Sequence, residues 1–457
     1  MNQVTRRSFL CSIGKYGPLF LFAPRLLAQS SRTDNPKKPN IVLIVADDMG
    51  WGDVGYHNPN LKTPVIDGLV RTGVELDCHY VQPQCTPTRV ALMTGRYPSR
   101  FGNHCTQASN NQAYPIGTLT MASMLKSLGY ETAISGKWHM GSKPQWGPNH
   151  YGFDHSHGSL AGAVGMYDHR YRLNSPYRKT WHRNHEFIDE VGHATDLVTK
   201  ESVSWIRKKH TRPFFLYVPY HSVHTPLVAG HRLITLYDHI KNPDRRLMAA
   251  AITHLDNCIG KIIDALDKTK QRENTLVIFL SDNGGIHGKY GGGNYPPPDP
   301  ALSEGFSLNK PLRSGKTHVY EGGIRVPAFV NFPGKVKPRK VTQPMHAVDW
   351  MPTLAALLGF SPEADAKWDG LNIWPFIIGR EKQHLDRQLY WVWGAKRNRV
   401  ALRRGPWKIL RDDRKAVWEL YNLNDDPCEE NDLADRMPDR KKKLLQYFEQ
   451  EKAKDAL

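Results

Sequence analysis

Nowhere does this 457-residue chain run through the about 18 consecutive apolar residues that a bilayer-spanning helix needs. A spanning helix is therefore excluded, and no stable membrane insertion is expected. Acid is the minority charge: 62 Lys and Arg stand against 44 Asp and Glu, a net +18. The surplus favours polyanionic partners (nucleic acid, anionic lipid or sulfated polysaccharide) without choosing among them. No nucleic-acid-binding motif accompanies the charge, and no nucleic-acid partner is expected. Cysteines are few, six in all. Nor is there an internal repeat, which removes the repeat architectures. What remains is a globular composition, 40% hydrophobic and 23% charged, long enough for one large domain with an appendage or for two to three domains.

Acid is missing altogether from residues 1–28, which hold Arg6, Arg7, Lys15 and Arg25. Thr5-Arg6-Arg7-Ser8-Phe9-Leu10, an apolar stretch interrupted by Gly14, Lys15, Gly17 and Pro18, and Ala23-Pro24-Arg25-Leu26-Leu27-Ala28 read together as a twin-arginine-type export signal. The expected destination is periplasmic or extracellular, in a bacterium. Residues 29–39 read as a polar linker. With Cys11 in the leader and Cys85 set aside, Cys78, Cys105, Cys258 and Cys428 either pair after export or stay as thiols, and the spacing leaves both open.

Apolar, β-branched runs at 40–46, 130–135, 213–219 and 275–280 predict strands buried on both faces of a parallel sheet. Helical patterns at 63–71, 119–128, 195–208 and 245–268 alternate with them, the last apolar at Leu247, Ala250, Ala251, Leu255, Cys258, Ile262 and Leu266. A strand is also expected over 74–80, and His254 and Asp256 are read as structural. Residues 143–195 are rich in aromatics and histidine and show no regular pattern, so they are expected to form a loop rim beside a substrate. Past Gly379 the texture changes to short segments at 390–394, 399–403, 407–411 and 418–421 and a charged helix at 440–454. The expected fold is α/β: a large central, mostly parallel sheet flanked by helices over 40–379, with a small antiparallel-sheet-plus-helix subdomain over 380–457.

Each main strand ends in chemically capable residues: Asp47-Asp48, Lys137 and His139, His221 and His224, and Asp282-Asn283. In open α/β sheets, ligands bind at the carboxyl ends of strands. Asp47, Asp48, Asp282 and Asn283 are hard oxygen donors suited to Ca²⁺ and less well to Mg²⁺. Lys137, His139, His224, Lys316 and Arg89 add cationic and proton-transfer groups. A metal with that much positive charge implies a tetrahedral oxyanion, sulfate or phosphate. Between these segments lies Cys85-Thr86-Pro87-Thr88-Arg89, with a helix expected to start near Thr88 because Pro87 suits a first turn. Cysteine and arginine four apart share a face at a helix N-terminus that favours anions. Taken alone, this fits either a reactive cysteine or a buried, inert thiol.

In order along the chain, Ala46-Asp-Asp-Met-Gly-Trp-Gly-Asp53, Cys85-Thr-Pro-Thr-Arg89 with Thr94-Gly-Arg96, Gly136-Lys-Trp-His139, Ser222-Val-His-Thr-Pro226, Ser281-Asp-Asn-Gly-Gly285 and Lys316 with Glu321-Gly-Gly-Ile-Arg325 resemble the formylglycine-dependent sulfatases of the alkaline-phosphatase superfamily, leaning toward the arylsulfatase-B-like branch that acts on sulfated sugars. The resemblance covers most of the chain after the leader. It implies an alkaline-phosphatase-like fold and a sulfuric ester hydrolase acting on O-sulfate groups of a sulfated carbohydrate. Cys85 matches the cysteine that a formylglycine-generating maturation enzyme oxidises to formylglycine (3-oxoalanine). In the family, one hydroxyl of the hydrated aldehyde attacks sulfur and the other drives sulfate out. By the same resemblance Asp47, Asp48, Asp282 and Asn283 match the metal ligands, with the modified Cys85 completing the shell. Arg89 steadies the diol, Lys137 and Lys316 bind sulfate, His139 is the base for elimination and His224 the acid for the leaving oxygen. Thr88 departs from the serine commonest at its place, while Cys85, Pro87 and Arg89 hold the fixed positions. Two alternatives are weighed beside this: a phosphomonoester or phosphonate hydrolase of the same superfamily, and a non-catalytic polyanion-binding protein. Substrate choice is expected in the rims at 143–195, 289–308 and 391–399, with His104, His169, Arg170 and Trp393 as candidates.

Overall fold

Asn40-Ile-Val-Leu-Ile-Val-Ala46 forms strand β1 (Asn40–Ala46), buried along its whole length. Ile41, Leu43 and Val45 enter one core, while Val42, Ile44 and Ala46 enter the other. Successive side chains of a strand point to opposite faces, so an all-apolar run can only be satisfied with cover on both sides. The structure, a computed structural model, describes residues 38–456 apart from 294, 296–299, 363–365 and 383–384. The expected export signal at 1–28, and the linker up to residue 37, lie outside the described residues.

After β1 come helix α1 (Pro64–Arg71), strands β2 (Val74–Leu76) and β3 (His79–Tyr80), and helices α2 (Cys85–Thr94) and α3 (Met121–Ser127). Strands β4 (Glu131–Lys137), β5 (His155–Ser159), β6 (Trp181–Arg183) and β7 (Glu186–Phe187) follow. Helix α4 (Ala194–Arg207) leads to β8 (Phe214–Pro219), and the short α5 (His231–Ile234) and long α6 (Pro243–Lys268) lead to β9 (Thr275–Ser281). Then come α7 (Glu321–Ile324), β10 (Ala328–Asn331), β11 (Arg339–Val341), β12 (Met345–His346), α8 (Trp350–Leu358) and α9 (Trp374–Ile377). The chain closes with β13 (Gln388–Trp393), β14 (Arg399–Arg404), β15 (Trp407–Arg411), β16 (Glu419–Asn422) and α10 (Pro438–Lys452).

Ten strands make the main sheet in the order β11-β2-β10-β9-β1-β8-β4-β5-β6-β7. Its centre, β9-β1-β8-β4-β5, is parallel throughout, so the carboxyl ends of β1, β4, β8 and β9 lie along one edge. β13 to β16 form the expected separate antiparallel sheet.

Three expectations change. The rim at 143–195 is not irregular: β5 joins β4 in parallel, and the β6–β7 hairpin extends the sheet. Its histidines hid the strand, because their polarity is satisfied laterally, His155 by Glu201 at 2.7 Å and His157 by Glu190 at 2.6 Å. The strand expected over 74–80 is broken in two. Asp77 there turns to accept from Arg325 at 2.9 Å and Lys340 at 3.2 Å, and β3 pairs with β12 in a second sheet. Helix α2 starts at Cys85 rather than near Thr88, since the amide of Thr88 already closes a helical bond to the carbonyl of Gln84.

The C-terminal sheet is joined to the rest by charge as well as apolar packing. Trp391, Ala401 and Leu410 pack with Tyr80, Val319 and Ile324. Lys408, fully buried, stands 2.8 Å from Glu321 and 2.7 Å from Glu429. A buried ion must keep its partners, because removing one strands the other.

Asp256 is structural as expected: from α6 it accepts the amides of Val65 and Ile66 at 3.1 and 2.8 Å, covering two of the free donors that begin α1. Asp256→Ala leaves both without a partner and should destabilise the protein by about 1–3 kcal/mol. A lowered urea midpoint reports that loss, and an unchanged midpoint contradicts it.

Candidate active site

Asp47 and Asp48 leave β1, Lys137 ends β4, and Asp282 and Asn283 leave β9, so sheet order alone brings them together. All five are essentially buried. Lys137 Nζ donates to Asp47 Oδ2 at 2.6 Å, and Lys316 Nζ to Asp48 Oδ2 at 2.6 Å. Arg89 Nη2 donates to Asp282 Oδ2 at 2.7 Å and its Nη1 to the Lys137 carbonyl at 2.9 Å. Asn283 Nδ2 donates to Asp48 Oδ1 at 2.8 Å. Asp48 adopts a left-handed backbone, φ 60°, and so does His139, φ 55°. Such conformations cost about 1–3 kcal/mol each in non-glycine residues and persist where surrounding structure holds them.

The donor set suits a hard divalent cation. Asp47 Oδ1 and Asn283 Oδ1 are buried and make no hydrogen bond, although a buried polar oxygen normally has a partner. Burial, and after it the neighbouring Asp282, push the Asp47 carboxyl up, so the cluster is short of positive charge despite its lysines. Burial alone would raise Asp48 as well, but Lys316, His224 and Lys137 together hold it well below the usual carboxylate range. A divalent cation held among these oxygens would supply the missing charge.

Cys85 occupies the first turn of α2 with its side chain buried, facing the same cluster. Burial pushes its thiol up, against the pull of Lys137 and Lys316. An unactivated thiol is a poor nucleophile at neutral pH, which removes the reactive-cysteine reading of the unmodified residue. Thr88 uses its hydroxyl locally, accepting from the amide of Gln82 at 3.0 Å and donating to the Gln82 carbonyl at 3.0 Å, and so fixes the chain entering α2.

Two histidines complete the group. The ring of His139 lies so close to Gly162 that a Cβ there would stand 2.2 Å from its Nε2. Burial pushes this imidazole well down, so it rests neutral with Nδ1 unpartnered. His224 donates from Nδ1 to the Thr225 carbonyl at 2.6 Å, which leaves the Nε2 lone pair free, 3.6 Å from Asp48 Oδ2. Burial, then Lys316, lowers His224 to about 3. His221 instead turns toward Ser159 Oγ at 2.6 Å, away from the cluster.

Above the cluster opens a cavity of about 360 Å³ whose lining includes Cys85, His139, His224 and Lys316. Its outer walls are Asn110, Tyr171, Arg172, Tyr290, Tyr295 and His318; four of them lie in the rims expected at 143–195 and 289–308, though none is singled out by the sequence, and Asn110 and His318 lie outside those rims. All six come from three separate connections, and among the described residues only Arg172, stacked on Tyr171 and near Tyr295, gives the wall an evident charge. Of the four rim candidates none lines this cavity. His104 bonds the Ala113 carbonyl, His169 stacks on Trp181, Arg170 lies between Asp168 and Asp189, and Trp393 donates to Gln84. Another residue missed is Asp53, which accepts from Arg245, Ser307 and the amides of Gly50 and Leu308, fixing the turn that follows β1. Cys78, Cys85, Cys105, Cys258 and Cys428 are all free thiols.

A family model described as "Sulfatase" matches residues 39–360, and one described as "N-sulphoglucosamine sulphohydrolase, C-terminal" matches 314–454. Mouse N-acetylgalactosamine-6-sulfatase is 32% identical over 92% of this chain and 80% of its own. Mouse arylsulfatase J is 32% identical over 92% of this chain and 76% of its own. The crystal structure of Ps i-CgsB in complex with k-i-k-neocarrahexaose superposes with a TM-score of 0.81 at 34% identity, covering 92% of this chain and 94% of that one.

Calcium added to metal-free protein should raise its melting temperature, by about 2.7 kcal/mol of stabilisation at a hundredfold excess over Kd. Asp48→Asn and Asp282→Asn should each remove most of that rise. A full rise in both variants would place the cation elsewhere.

Proposed function

This chain belongs to the sulfatase family, and on that premise we propose that it hydrolyses O-sulfate esters of a sulfated carbohydrate at the cluster around Cys85. The observation that carries the reading is one pocket holding a buried cysteine, four hard oxygen donors and three cationic side chains, Arg89, Lys137 and Lys316. Relatives that act on sugars support the substrate class: N-acetylgalactosamine-6-sulfatase by its name, and Ps i-CgsB by the neocarrahexaose it binds. Hydrolysis of a phosphate or phosphonate ester is not favoured, because the relatives that are 32% identical over 92% of the chain are sulfatases. Retention of the whole donor set also speaks against a non-catalytic polyanion binder.

Formylglycine, which the family uses, would stand at Cys85 and supply a hydrated aldehyde as nucleophile. Ca²⁺ held by Asp47, Asp48, Asp282 and Asn283 would supply a Lewis acid. The chain's own residues do the rest. Lys137 and Lys316, already committed to the carboxylates by 2.6 Å bonds, present ammonium groups to the sulfate oxygens. Arg89 orients Asp282 and the Lys137 carbonyl and keeps the first turn of α2 in register with the ligands. His139, neutral at rest, can accept a proton. His224 is also neutral at rest, so its part as acid requires a proton on Nε2, a state that bound sulfate beside it favours. The reading includes export by the leader at residues 1–28, a catalytic region over 40–379 with a C-terminal subdomain over 380–457, and a maturation enzyme as partner.

The test is hydrolysis of an aryl sulfate and its phosphate analogue, with calcium present and Cys85 modified. Sulfate should be the better substrate. Cys85→Ala should lower kcat by at least about 10³-fold, and His139→Ala and His224→Ala by about 10²–10⁴-fold. Protein from the native host should yield a Cys85 peptide in which oxygen has replaced sulfur and two hydrogens. Preference for phosphate, or an unmodified peptide in fully active enzyme, would overturn the reading.

A further inference from the structure

Away from the catalytic pocket, the first turn of α4 meets the middle of α6. One ring nitrogen each of His193 and His254 and one carboxylate oxygen of Asp196 lie within 4.8 Å of one another there. His254 Nε2 is 3.1 Å from Asp196 Oδ2, and Cys258 Sγ is 3.6 Å from Asp196 Oδ1. Four-residue spacing puts His254 and Cys258 on one face of α6, and three-residue spacing puts His193 and Asp196 together at the start of α4. A tetrahedral zinc ion at about 2.0–2.3 Å from its ligands holds neighbouring ligand atoms about 3.3–3.8 Å apart. The His193, Asp196 and His254 atoms, within 4.8 Å of one another, are about one ångström wider than that, and Cys258 stands at the edge of the group beside Asp196.

A second observation points the same way. His193 is 6% exposed, and its Nε2 is a buried polar atom with no hydrogen-bond partner. Binding through Nε2 requires the ring proton on Nδ1, and so exchanges the 3.2 Å bond from the Thr195 amide for a bond to the cation. On the open side Lys261 Nζ sits 3.1 Å from Asp196 Oδ1, where an ammonium group stands in for a cation. A cavity lined by His193, Asp196 and Lys261 gives an entry path.

We propose that His193, Asp196, His254 and Cys258 form a second metal site, for Zn²⁺ or a similarly borderline-soft divalent cation, which pins the start of α4 to α6. Two imidazoles, a carboxylate and a thiolate differ in kind from the all-oxygen donors at Asp47, Asp48, Asp282 and Asn283, so the two sites select different ions. The site stands independently of the catalytic reading.

Calcium-loaded enzyme is titrated with Co²⁺ as a spectroscopic probe, and separately with Zn²⁺. One equivalent of Co²⁺ should bind with thiolate-to-cobalt charge-transfer absorption, and Zn²⁺ should raise the melting temperature. Cys258→Ser should abolish that absorption and weaken Zn²⁺ binding at least about tenfold, with sulfate ester hydrolysis unchanged. Lys261→Gln removes the competing ammonium and should tighten binding. Absence of the absorption in the wild-type enzyme, or its persistence in Cys258→Ser, overturns the proposal. Asp196→Asn keeps the thiol and the packing, and an undiminished Zn²⁺-dependent rise in its melting temperature overturns it equally.

Discussion

Three buried carboxylates, those of Asp47, Asp48 and Asp282, are held against one another at the ends of two neighbouring strands. Like charges in a dry interior repel strongly, and they persist only where cations answer them. Much of the surrounding architecture is that answer. Arg89 comes from α2, Lys137 from the end of β4, and Lys316 from a loop that no strand carries. The Lys316 loop is tied at both sides, its amide to the Gly285 carbonyl and that of Thr317 to the Pro83 carbonyl. An oxyanion substrate therefore meets ammonium and guanidinium groups whose positions the carboxylates have already set.

The sheet that gathers these charges also makes most of them legible in the sequence. A parallel sheet converts sequence position into location: whatever follows a buried apolar run lies on one edge. Asp47, Asp48, Lys137, His224, Asp282 and Asn283 all follow such runs and do meet. The walls of the cavity are not legible in this way, because Asn110, Tyr171, Arg172, Tyr295 and His318 sit on connections with no period to place them. β5 escapes for a different reason. Its sequence, His-Ser-His-Gly-Ser, carries no apolar alternation, and its place in the sheet is secured by Glu190 and Glu201 reaching its histidines from elsewhere. Single polar residues such as Asp53 and Asp256 declare their roles only when the amides they accept from are brought to them.

Cys85 shows how environment changes the meaning of a residue. At a helix N-terminus among lysines a thiol is ordinarily activated. Here complete burial outweighs those charges and holds the sulfur protonated. An unactivated thiol agrees with the proposal that this residue acts only after conversion to formylglycine, which the sulfatase family generally uses.

The small C-terminal sheet reaches the same loop from the far side. Asp412, just past β15, accepts from His318 and from the amide of Val319, and Arg399 of β14 donates to the Thr317 carbonyl. Lys408 of β15 neutralises Glu321, which follows that loop. Residues flanking Lys316 thus owe their placement to the last quarter of the chain. A recombination that exchanged this tail between relatives would not add a passive module. It would shift the cavity wall at His318 and the placement of Lys316 in one event, so a tail fitted to one loop is not interchangeable with a tail fitted to another.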